Sequence, residues 1–142
     1  MLMTWLFVVA DFSAQLSDWV LKSNRTLSIA VRKIALEMFS RIIHRSPVLS
    51  GRFRGNWQVA IGSAPGGTLE RYTKDEGDAI IQADADMAGL VAGDIVTMVN
   101  NLPYAQALED GHSGQAPAGM VGLTVQEFET VVQDVARELA RL

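Results

Sequence analysis

Five consecutive residues, Gly111-His112-Ser113-Gly114-Gln115, come within one position of the nucleophile elbow of serine hydrolases. That motif takes glycine at its fifth position, follows a buried strand and opens a helix, so that the serine hydroxyl stands on a sharp exposed turn. Here Gln115 fills the fifth position, a helical turn is expected before the segment, and Pro117 follows it. Ser113 therefore reads as a loop residue satisfying nearby backbone groups. His44 and His112 are the only histidines of the 142 residues, and there is no cysteine. Two histidines without an acidic cluster make a poor metal site, and no thiolate is on offer. His44 reads instead as a helix C-terminal residue, where a cationic ring is favourable. Asp84 and Asp86 point to different helix faces, while Asp75, Glu76 and Asp78 sit in a charged loop, so neither set is a positioned acid–base pair. Gly66-Gly67-Thr68 lacks the lysine and spacing of a phosphate loop. The residues thus point away from an enzyme, and no catalytic residue, cofactor or metal is expected.

The elements that must carry these residues follow from apolar periodicity. Leu16, Val20, Leu27, Val31, Ile34, Met38 and Ile42 recur near the helical period, which predicts a long helix from Ser13 to Arg45. Ser23-Asn24 marks a kink, because both side chains compete for backbone hydrogen bonds. Pro47 ends the helix. Ile29, Leu36, Phe39 and Ile43 form a second apolar face, and two such faces imply burial on two sides, the second against another subunit or, alternatively, a curved sheet wrapping the helix. Trp57, Val59 and Ile61 alternate as a half-buried strand does. A loop at Ala64–Thr68 and a polar, mobile stretch through Asp78 are expected next. A short helix is predicted over Ala79–Val91, a strand over Ile95–Val99, a helical turn from Pro103 through Leu108, a loop over Gly111–Gly119 and a helix over Thr124–Leu142. The sum is an α+β fold with a long N-terminal helix, a small antiparallel sheet, a short middle helix and a C-terminal helix. The predicted organisation is an N-terminal arm over 1–12 and a single domain over 13–142.

About half the residues are apolar and a fifth are charged. Disordered chains show the opposite balance, so a globular domain is expected, apolar enough to need partners. The net charge of −4 conceals a split: Lys22, Arg25, Arg32, Lys33, Arg41, Arg45, Arg52 and Arg54 face one acid, Glu37, within residues 22–54. Such a split gives two electrostatic faces. A duplex-DNA-binding regulator using the 22–54 segment is one reading of it, although interleaved aromatics and a helix-turn-helix pattern are missing. The first ten residues are too few to span a bilayer, and they lack the basic flank of a signal peptide. They read as an extra strand, a packed arm or an upstream start, in a protein made in the cytoplasm and without a membrane partner.

Two stretches carry a more specific signal: Ser46 through Trp57, reading SPVLSGRFRGNW, and Asn100 through Val121, reading NNLPYAQALEDGHSGQAPAGMV. Together they resemble the minor tail, or neck, proteins of lambda-like long-tailed bacteriophages, the tail-completion family called minor tail protein Z-like. The order of long helix, first motif, second motif and C-terminal helix matches from about residue 13 to the end. Leu49-Ser50 departs from the Asp-Thr that family commonly carries before the glycine, and Asp110 replaces an aromatic or aliphatic residue. Residues 1–12 have no counterpart.

The resemblance implies a structural virion protein at the neck or the head-proximal end of the tail. It would form a homo-oligomeric ring, a hexamer, that completes the tail and supports head–tail joining. Its partners would be itself and the neighbouring tail terminator, tail tube or head–tail connector proteins, close to packaged DNA. It would act in the virion after assembly in the host cytoplasm. The tail terminator ring protein is the alternative within the same class. Candidate interface residues are Arg52, Arg54, Trp57, Tyr104, Leu108, Glu109, Gln115, Pro117 and Met120, with Ile29, Leu36, Phe39 and Ile43 on the second helix face. Gly51 and Gly55 would permit a tight turn. Arg52 and Arg54 would project together from an extended segment towards acids on a neighbour, and Glu109 would be available to a basic residue.

Overall fold

A computed structural model of the chain describes residues 3–8 and 24–141. The elements are β1 (Met3–Val8), α1 (Asn24–Arg45), α2 (Arg52–Gly55), β2 (Trp57–Ile61), α3 (Glu76–Asp86), β3 (Ile95–Asn100), α4 (Ala105–Glu109), α5 (Val121–Gln126) and α6 (Phe128–Ala140). They form the α+β fold expected. The part of the predicted long helix before Asn24 lies outside the described residues.

Helix α1 is the axis of the molecule. Leu27, Ala30, Val31, Ile34, Ala35, Met38, Phe39, Ile42 and Ile43 are all buried along it. Helix α3 packs on one flank, and α5 and α6 pack on the other. Both apolar faces are therefore covered within one chain. This corrects the subunit role expected for the second face. Phe39 and Ile43 are core, Leu36 packs half-buried against it, and only Ile29 stands out to solvent. His44 and Arg45 in the last turn complement the negative end of the helix.

The sheet is antiparallel, in the order β1-β3-β2. Trp57, Val59 and Ile61 lie opposite Asn100, Met98 and Val96, so one face of β2 and β3 turns into the core, with β2 against α3. The other face, with Gln58, Thr97 and Val99, is buried as well. Residues 62–73 explain this, and they correct the expectation of a mobile stretch. Gln58 and Asn101 donate to the Gly67 carbonyl, and the Asn56 amide grips Leu69 by both its N–H and its C=O, at 2.7 and 3.0 Å. Arg71 donates to the carbonyls of Gly55 and Trp57, and the Thr73 amide donates to the Gly51 carbonyl. A polar segment is held here by side-chain amides and a guanidinium rather than by apolar burial.

Other boundaries move as well, and α3 stops at Asp86, five residues before the predicted Val91. Helix α3 starts at Glu76, three residues before the predicted Ala79, because Asp75 caps it by accepting from the Asp78 amide. The predicted C-terminal helix is two helices meeting at Glu127. Val131, Val132, Val135, Ala136 and Leu139 form the buried stripe of α6.

Candidate functional site

The two motif segments, roughly fifty residues apart in sequence, fold onto one another beside the C-terminal end of α1. Gln115 joins them: its side-chain oxygen accepts from the Val48 amide at 2.9 Å, and its nitrogen donates to the Val48 carbonyl at 3.1 Å. Asn100 adds a buried bond, donating from Nδ2 to the Phe53 carbonyl. The Phe53 ring meets Trp57 edge-on at 5.6 Å and lies 6.3 Å from Tyr104. Between the segments runs a mostly apolar groove lined by Pro47, Val48, Leu49, Phe53, Tyr104 and Leu108. Leu49 at its rim is 92% exposed and Tyr104 is 41% exposed.

Behind this rim, the arginines do not project from an extended segment as expected. Gly51, at φ +89°, turns the chain directly into α2. Arg54 is buried and donates to the carbonyls of Lys74, His44 and Ser46, tying the end of α1 to Lys74, directly after the 62–73 segment. Arg52 pairs with Glu70 of the same chain. Trp57 is core, and its Nε1 donates to Ser46 Oγ at 2.8 Å. Gly55 lies so close to the Arg71 carbonyl that a Cβ there would sit 2.2 Å from its oxygen.

Glu109 is not free for a basic residue. Its carboxylate accepts from the amides of Met120, Val121 and Gly122, at 2.8–3.0 Å, at the start of α5. A carboxylate is a strong partner for unpaired amides at a helix start. Met120 is fully buried, so this end of the Gln115–Met120 loop docks into its own chain, while Pro117 stays exposed. Of the interface candidates, Tyr104, Gln115, Pro117 and Ile29 thus keep an exposed position and Leu108 a half-buried one, and the structure adds Leu49 at the rim with half-buried Val48 beside it. Leu49 was visible in sequence only as a departure from the family turn.

The residues weighed for chemistry are dispersed. Ser113 Oγ accepts from the Gln115 amide in a local turn. His44 Nδ1 and Glu76 Oε2 lie 2.6 Å apart at the surface, far from Ser113 in sequence. Among the described residues no cluster of three or more histidines and acids is placed to hold a metal ion.

The basic segment is engaged internally. Arg32 pairs with Asp84 at 3.0 Å and Lys33 pairs with Glu138. Arg41 bonds Glu37 and Glu127, and Arg45 bonds Glu127 and Thr124. Hydrogen bonding from Arg45, together with the charge of both arginines, holds the Glu127 carboxyl below the usual carboxylate range. The Arg41 guanidinium is pushed up, chiefly by its bond to Glu37. Every basic side chain from Arg32 to Arg54 therefore has a partner within the chain. Lys22 lies outside the described residues. No helix among the described residues is long and apolar enough to cross a membrane. Neither family models, curated proteins nor solved structures give a match to this chain.

Proposed function

We propose that this chain is a structural protein of a long-tailed bacteriophage, acting at the neck or head-proximal end of the tail as a self-associating ring that supports head–tail joining. The observation that carries the reading is the convergence of the two family-like segments on one groove. Residues that share no sequence neighbourhood are bonded through Gln115 and Val48 into a single rim. Leu49 and Tyr104 are held outward on it by a rigid base. An apolar rim on a fixed scaffold is suited to docking against another protein. Burial at such a contact contributes roughly 25 cal/mol per Å2, and charge complementarity selects the partner.

The role requires no turnover. It is tested by electron microscopy of particles assembled without this chain. The expected result is filled heads and finished tails that do not join. Normal virions would end the proposal.

A further inference from the structure

The α1 face expected to meet a second copy is core, so a contact between copies has to come from another element. Strand β1 has the properties of one. It is an edge strand of the sheet, and its six residues pair with β3 over their whole length, from Met3 opposite Asn100 to Val8 opposite Ile95. Among the described elements β1 packs closely against β3 alone, whereas β2 pairs with β3 and also packs on α3. The ladder that holds β1 is made of main-chain groups. The β1 strand of any other copy therefore offers β3 the same bonds.

The connection from β1 to α1 is longer than its task. Strand β1 ends at Val8, opposite Ile95. The start of α1 lies close by, because the Ala92 amide, three residues before Ile95, donates to Ser28 Oγ. Residues 9–23, fifteen in all, join the two points. That many residues span up to about 50 Å when extended. The path from Ile95 through Ala92 and Ser28 to Asn24 is roughly half as long, being three residues of chain, one side-chain contact and one helical turn. The surplus lets the strand reach the sheet of a neighbouring copy.

We infer that, when copies associate, β1 of one copy leaves its own β3 and takes the same place on β3 of the next. This inference rests on the self-association proposed above and names the element that carries it. Exchange of an identical element keeps every β1–β3 bond, so the ladder itself is neither gained nor lost. What is given up is the tether, which raises the effective concentration of a copy's own strand by an amount that falls as the connection lengthens. A modest contact elsewhere, such as the Leu49 rim, then tips the balance. Once exchanged, copies are coupled by a six-residue ladder rather than by a surface patch alone.

The chain has no cysteine, so an engineered pair reads the exchange directly. Paired Cα atoms in an antiparallel ladder lie about 4.5–5.5 Å apart, within disulfide reach. Full-length Val8→Cys and Ile95→Cys chains are produced together, purified and oxidised in air. Ile95 is exposed, so its substitution should spare the fold. Neither chain can close a disulfide within itself. Exchange should shift part of the sample from 15.4 kDa to twice that mass on a non-reducing denaturing gel, and each variant produced alone should not shift. A second pair, Thr4→Cys with Val99→Cys, repeats the reading at the other end of the strand. Co-produced pairs with no more two-chain product than the single variants overturn the inference. One chain carrying both Val8→Cys and Ile95→Cys should give covalent species of two or more chains, and complete internal closure overturns the inference again. If the internally closed chain still assembles in sedimentation velocity, the exchange alone fails. The head–tail joining phenotype is read separately in particles, so the two proposals fail by different results.

Discussion

Residues 47–50 and 51–57 are adjacent in sequence, yet they use their side chains in opposite ways. From Gly51 to Trp57 the polar groups turn inward: Arg54 binds three carbonyls, Asn56 grips Leu69, and Trp57 closes on Ser46. From Pro47 to Ser50 the chain is fixed by its backbone, through Gln115, and Leu49 is left in water. The difference separates stability from recognition. The inner segment sets the shape of the outer one, and the outer segment is free to specify a partner.

This contrast can be broken most severely at Gly55. Gly55→Ala puts a methyl against the Arg71 carbonyl and should destabilise the chain by about 3 kcal/mol, read from urea unfolding. Arg54→Met should cost about 2 kcal/mol in the same assay, because it leaves the buried Ser46 carbonyl without its donor and removes the bond to the Lys74 carbonyl. Glu109→Ala removes the acceptor for three amides and should cost about 1–2 kcal/mol. A cost below about 0.5 kcal/mol at either Arg54 or Glu109 would return that residue to the list of interface candidates.

A smaller effect is expected from pH. The carboxyl of Glu127 titrates lower in the folded chain than in the unfolded one, whose ordinary value is 4.5. Its contribution to stability is therefore fully present above that value and is lost as pH falls through the folded value. Glu127→Gln should flatten this acid limb of a stability–pH curve measured by urea unfolding between roughly pH 3 and 6, a range set about that ordinary value. An unchanged limb would mean that Arg41 and Arg45 do not act on it. The smallest stability effect belongs to Leu49→Asp, within about 0.5 kcal/mol. That substitution should remove self-association while sparing the fold.

The periodicity of α1, the alternation of β2 and the β-branched run of β3 were legible in sequence because each depends on a local repeat. The 62–73 segment was not. Its order comes from Asn56, Arg71 and Gln58 bonding backbone groups, and polar side chains in a loop look the same whether they bind water or the chain. The inward roles of Arg54 and Glu109 were misread for the same reason, since type and spacing do not reveal a carbonyl or an amide arriving from a distant segment. The split at Glu127 was hidden too, because the apolar stripe continues across it. The groove itself was half visible: the motifs were identified, but the pairing of Gln115 with Val48 that brings them together carries no sequence signature.

Sedimentation velocity of the full-length chain across a hundredfold range of concentration tests the central claim most directly. The account predicts a discrete, ring-sized species that Leu49→Asp converts to a folded monomer. A wild-type chain that remains a well-folded monomer throughout would contradict it.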